Sequence, residues 1–246
     1  MRLRCGIATA RGLGDIVRLV ILLALAGMSL AACTTTATRA VAPTELSKPA
    51  ANAKVILVQP DVELSILNAS GVTEARADWS RAARDELAGT IRTSLNSKAL
   101  QVEVLDPETS MGGRTGQLLR LHERVALSVI AHEYLNLKLP SKEGRFDYTL
   151  GDGAAELGKA KGADYALFVT ARGTYASEGR KALMVGAALL GVSVPLGHQE
   201  VYASLVELKT GRVVWFNVAA AGPSADMRSA EGATSLTSDL MKGAPL

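Results

Sequence analysis

The sequence predicts an α/β protein of mixed (α+β) character: one mixed sheet with helices packed on its faces. An unbroken, largely β-branched run at 54–59 (KVILVQ) reads as a strand covered on both sides. Apolar residues four apart at Ala83, Leu87, Ile91 and Leu95 read as a helix with one buried stripe. Two apolar runs at 199–208 and 212–220, joined by Lys209-Thr210-Gly211 alone, read as a hairpin in which Gly211 takes the positive φ.

Each element follows from local signals. Pro60 ends the first strand, and the following stretch 63–75 (ELSILNASGVTEA) reads as irregular. The helix carrying the Ala83 stripe is predicted over 77–98, and a second strand over 101–105 (QVEVL) is cut off by Asp106-Pro107. After the Gly112-Gly113 loop, Leu118, Leu121, Val125, Val129 and His132 recur three or four apart, which predicts a helix over 117–137. A short helix at 154–161 ends at Gly162, with Asp152 as its N-cap. A third strand is expected over 164–174 and a last helix over 229–241. The order is β-α-β-α-α-β-β-β-α. Helical crossovers imply parallel pairing among the first three strands, and the tight connections after them imply an antiparallel meander.

The amino terminus has a different character. Arg2, Arg4, Arg11 and Arg18 precede a charge-free run at 19–32, LVILLALAGMSLAA. That is the layout of an export signal, and the run is too short to be a membrane span, which needs about 20 apolar residues. It ends in Leu30-Ala31-Ala32-Cys33, which resembles the bacterial lipobox. The resemblance implies cleavage after Ala32, recognition of Leu30, Ala31 and Ala32 by the signal peptidase, and a thioether-linked lipid with amine acylation (palmitate among the acyl chains) on Cys33. The expected organisation is a signal at 1–32, a lipidated, flexible Thr-, Ala- and Pro-rich tether at 33–53, and a single periplasm-facing domain at 54–246. Thr34 rather than Asp after the lipid Cys points, by resemblance to enteric sorting, to the outer membrane.

Removing four Arg and one Asp with the signal leaves 23 basic and 23 acidic residues, so the mature chain carries no net charge and gives no electrostatic case for nucleic acid. Cys5 leaves with the signal and Cys33 is lipidated, so neither a disulfide framework nor a cysteine metal site is available. The core must be held by packing alone.

At 202–217, YASLVELKTGRVVWFN, a strand is followed by Thr210-Gly211 and then Trp215. In a lipobox protein with a βαβ unit, this resembles the envelope lipoproteins with a TolB-amino-terminal-like domain. That group includes the curli secretion channel subunit and the lipoprotein activators of penicillin-binding proteins. The resemblance implies a fold and an envelope setting. Shared fold does not carry shared activity.

Patterns that would carry chemistry are incomplete. His132-Glu133-Tyr134-Leu135-Asn136 begins like a zinc-protease motif, but its fifth position is Asn136 rather than His. Gly151-Asp152-Gly153 lacks the glycine spacing of a dinucleotide loop, and no nucleophile elbow occurs. The expectation is a non-enzymatic protein without cofactor or metal. Trp79 and Trp215 are expected to cover edges of the core. The segment 182–197 (ALMVGAALLGVSVPLG) has no charge, and Leu183, Met184, Val185, Leu189 and Leu190, with Trp215, are the candidate contact or packing residues. The favoured reading is a buried connection or a short helix packed on the sheet. An exposed patch for self-association or a partner, and a membrane-inserted hairpin, are the alternatives. Function is therefore expected to be binding or scaffolding of another envelope protein from a lipid anchor, with a subunit of an oligomeric, curli-type secretion channel as the alternative and a periplasmic hydrolase behind it.

Overall fold

The computed structural model describes residues 35–41, 49–50, 52–142, 144–221 and 225–246. The chain divides into two compact units, Met1–Cys33 and Thr34–Leu246, and every described residue belongs to the second. The signal and lipobox readings, with Leu30, Ala31, Ala32 and Cys33, lie outside the described residues.

The expected mixed α/β architecture is present as one eight-stranded sheet. Its strands are β1 (Thr35–Ala40), β2 (Lys54–Val58), β3 (Asp61–Leu67), β4 (Thr73–Ala75), β5 (Gln101–Leu105), β6 (Tyr165–Ala176), β7 (Gln199–Glu207) and β8 (Val213–Ala221). The helices are α1 (Ala77–Asn96), α2 (Pro107–Ser110), α3 (Gly113–Val129), α4 (Gly153–Lys161), α5 (Glu178–Ala188) and α6 (Ala230–Leu240). Strand order is β1-β8-β7-β6-β2-β5. As expected, β2 runs parallel to both β5 and β6, whereas β6, β7 and β8 form an antiparallel meander.

Two strands depart from expectation. Residues 61–67 are not irregular: β3 runs parallel to β6 from Asp61↔Thr170 to Leu67↔Ala176, in the lane that β2 leaves at Pro60. Proline cannot donate to the ladder, so the lane breaks there and resumes one step on. The alternation of Val62 and Leu64, buried, with Asp61 and Glu63, outward, is the period-two signal of a half-covered strand. The tether reading also needs correction at 35–40. These residues form β1, antiparallel to β8 from Thr35↔Ala220 to Ala40↔Trp215. All six are exposed, so backbone pairing rather than burial holds an edge strand whose composition looks like linker.

Each sheet face has its own core. One face packs against α1 and α6: Ala83, Leu87, Ile91 and Leu95 are fully buried against Leu57, Leu167, Leu205 and Trp215, with Leu236 and Leu240 from α6 beside them. The other face packs Ile56, Phe168, Val206 and Phe216 against Leu118, Leu119, Ala126 and Val129 of α3 and Leu157 of α4. The 117–137 helix starts earlier than expected and ends in a π-helical turn, Ile130–Tyr134. Its buried face is rotated from the predicted one. Leu121 is exposed and His132 only partly covered, while His122 is buried. Asp152 precedes α4 but makes no side-chain capping bond, whereas Gly162 closes it in the left-handed conformation at φ 59°. Gly211 turns the β7–β8 connection at φ 72°, with no room for a Cβ beside the Gly151 carbonyl.

Trp215 is a core residue rather than an edge cover: it is fully buried, and its indole Nε1 has no hydrogen-bond partner among the described residues. An orphaned buried donor costs about 1–3 kcal/mol, which partly offsets the gain from burying the ring. Trp215→Phe is therefore expected to cost about 1 kcal/mol, and Trp215→Ala about 3–5 kcal/mol. Urea unfolding midpoints of the two variants measure the gap.

Candidate functional site

Two features stand out from the packed layers: a cleft beside the Pro60 break and an apolar projection at one end of the sheet. The cleft lies beyond the carboxyl ends of the parallel strands β2 and β5, where an open α/β sheet offers a crevice. It holds about 550 Å³. Its floor is the outward face of β6 (Phe168, Thr170 and Arg172), continued by Tyr202, which stands opposite Thr170 on β7. Leu119, His122 and Glu123 of α3 form one wall, and Pro107, Glu108 and Met111 another.

Charge in the cleft is largely committed internally. Arg172 Nη2 donates to Asp61 Oδ2 at 2.5 Å, and its Nε stands 3.3 Å from Glu63 Oε2. Arg84 stands 3.8 Å from Glu108. Burial, the largest influence on Tyr202, pushes its phenol above the ordinary range. Binding is what these groups offer: an aromatic and hydroxyl floor with carboxylates at the rim.

The buried His122–Ser204 pair in the wall has the outward form of a base and nucleophile. Nε2 and Oγ are 2.5 Å apart, and the imidazole stacks on Phe168 with ring centroids 3.7 Å apart. Both side chains are buried, however, and burial alone pulls the imidazole down to about 3. A ring so reluctant to take a proton is a poor general base near neutrality, and the hydroxyl is shut off from solvent. The pair is a polar tie across the core.

The other sequence-singled residues are dispersed. His132 Nδ1 bonds the Leu137 carbonyl, and Glu133 accepts from Tyr148 Oη at 3.0 Å. Among the described residues no group of three or more His, Cys, Asp or Glu is placed to hold a metal ion. Trp79 lies half-buried between the Arg76 and Arg228 guanidiniums, 4.2 and 4.4 Å from its ring. Trp215, in the core, does not belong with the 182–197 residues.

That segment overturns the favoured buried reading. Residues 178–188 form α5, in which no residue is buried, followed by an irregular stretch leading to β7. Leu189 and Leu190 are 85% and 83% exposed, and Leu183, Val185 and Val192 are also open, with Met184 partly covered. The membrane-hairpin reading fails too, because a helix and loop stand where two strands of about 9–11 residues would be needed. Among the described residues no helix is long and apolar enough to cross a membrane.

No family model matches the chain, and no curated protein matches it. Among solved structures, the PelC dodecamer from Paraburkholderia phytofirmans is similar over 85% of this chain and 95% of that one, at 17% identity and a TM-score of 0.38. A single-residue variant of that dodecamer in another crystal form gives 17% identity and 0.37 over 85% and 96%. At these scores the likeness assigns nothing to the chain. The TolB-like resemblance stays an expectation from residues 202–217.

Sequence reasoning missed the cleft because Asp61, Arg172, Tyr202 and His122 come from four separate elements. The one available signal was the period-two run DVELSIL after Pro60, which would have put Asp61 and Glu63 on one face.

His122 gives a measurable test of the packed pair. Its folded value lies below the ordinary 6.5, so the neutral ring favours the fold fully above pH 6.5. Between 6.5 and about 3 the unfolded chain takes a proton that the fold refuses, and stability falls with pH. From pH 6.5 to 5, before most carboxylates titrate, the expected loss is about 1–2 kcal/mol. His122→Asn is expected to remove that slope, as read by urea unfolding at each pH.

Proposed function

We propose that this protein is an exported lipoprotein, held at the outer membrane on its periplasmic side through Cys33, and that it acts there by binding another envelope component rather than by catalysis. The observation that supports this best is where the folded domain starts. The lipobox-like Leu30-Ala31-Ala32-Cys33 is followed by one residue, Thr34, before β1 begins at Thr35. An anchor joined directly to the edge strand of a sheet holds the domain close to the bilayer instead of on a long tether. The cleft beside Pro60 supplies the binding surface, and the chemistry of His122 and Ser204 favours binding over hydrolysis.

A second reading, a subunit of an oligomeric assembly, is favoured by the sheet edges. β1 pairs only with β8 among the described residues and is exposed along its whole length, so its other edge offers backbone groups to a second copy. Sizing in mild detergent separates a ring-sized assembly from a monomer or dimer.

The lipoprotein reading predicts that the wild-type chain fractionates with membranes, incorporates labelled palmitate and gives a mature amino-terminal peptide beginning at acylated Cys33. Cys33→Ala is expected to lose the label and the processed terminus. A wild-type chain without acyl groups would overturn it.

A further inference from the structure

The apolar side chains of α5 and of residues 189–192 are exposed, and the sheet register shows what lies at their level. Thr35 at the start of β1 pairs with Ala220, Ala220 with Glu200, and Glu200 with Arg172. The start of β1, the end of β8, the start of β7 and the end of β6 therefore share one end of the sheet. α5 leaves from that end, one residue after β6 stops at Ala176, and the chain returns to it at Gln199. Ala176 N–H still bonds the Leu196 carbonyl, so the returning segment stays beside β6 there. The β3–β4 turn, with exposed Val72, is at the same end.

Cys33 is two residues before Thr35 and lies within about 7 Å of it along the chain. Three strand spacings, about 14 Å, separate β1 from β6. A lipid on Cys33 thus emerges from the end of the sheet that carries Leu189, Leu190 and Val192. From this we propose that the tip of α5 is a second bilayer contact, seated shallowly in the membrane that holds the lipid. The proposal rests on the lipoprotein reading.

The composition of the projection fits lipid better than protein. Its charges, Glu178, Arg180 and Lys181, all lie in the first turn, at the end nearer the sheet. From 182 to 197 there is none. The exposed side chains are aliphatic, without the Tyr, Trp or Arg anchors that protein interfaces concentrate. Eleven residues of helix reach about 16 Å, half of a hydrocarbon core of about 30 Å, so the helix can enter the interface but cannot span. Two contacts set some distance apart would fix the tilt of the domain, which a single lipid leaves free.

Site-directed spin labelling of the lipidated protein, reconstituted in phosphatidylethanolamine–phosphatidylglycerol vesicles, tests this. With Cys5 removed and the Cys33 sulfur alkylated, an introduced cysteine is the sole thiol. A nitroxide at Leu190→Cys is compared with one at Lys209→Cys, exposed in the turn at the opposite end of the sheet. The expected result is a several-fold higher ratio of dioxygen to nickel-chelate relaxation at 190 than at 209. Equal ratios on acylated protein would overturn the membrane contact while leaving the lipoprotein reading intact. Exclusion of both relaxants at 190 would overturn it in favour of a second copy or a protein partner. Absence of acyl groups by mass spectrometry would remove the lipoprotein reading and the contact together.

Discussion

Strand β6 serves two partners along one edge, and the rest of the structure depends on how it does so. Its first residues pair with β2 and its later ones with β3, in a lane broken at Pro60. A single uninterrupted neighbour would have kept β5 alongside for the full length. The break lets β5 turn away through Pro107 while β6 continues, and the cleft opens in the space left uncovered. The missing N–H of one proline thus separates a closed half of the sheet, covered by α3 and α4, from a half whose outward face carries Asp61, Glu63, Arg172 and Tyr202.

Charge follows the same division. Beneath α3 the polar tie of His122 to Ser204 is buried and neutral. Beyond it the Arg172 guanidinium is held between Asp61 and Glu63, where solvent shares the cost of its charge. Partly exposed pairs of this kind contribute little to stability, so they are better understood as fixing side-chain directions on an open sheet face. At the opposite end of the parallel strands, Glu103 sits between Lys54 and Lys161 at 2.7 and 2.9 Å, and these two ammonium groups hold its carboxyl below the usual range. That contact ties β2, β5 and the end of α4 together.

What could be read from the sequence was whatever burial imposes on it. The Ala83–Leu95 stripe, the run at 54–58 and the Gly211 turn are each required by one-sided or two-sided packing, and each was legible. β1 was not, because an edge strand exposed on both sides leaves no hydrophobic period in TTATRA. The face of α3 was misjudged because a His, here His122, can be fully buried when one hydroxyl and one aromatic ring receive it. The segment 182–197 was legible as apolar but not as exposed: composition records the cost of contact with water, not which surface relieves it. The cleft was the least legible feature, since its lining is assembled by the register of β3, β6 and β7.

A strand at 35–40, where a tether was expected, changes what an anchor at Cys33 would do. A lipid at the end of a long flexible segment restricts only the distance of a domain from its membrane. A lipid two residues from an edge strand would instead keep one end of the sheet near the bilayer, because β1 is joined by backbone hydrogen bonds to β8 and through it to the whole sheet. Under the lipoprotein reading the domain could still tilt about that end, and an exposed apolar helix at the same end would limit the tilt by meeting either lipid or a protein that displaces it. The cleft begins at Arg172, level with Thr35 across the sheet, and runs along β6 to Phe168, beyond the end of β2. If the chain is anchored through Cys33 as proposed, the strands themselves would set the distance of the cleft from the bilayer, and a component bound there would sit at a defined height above the membrane.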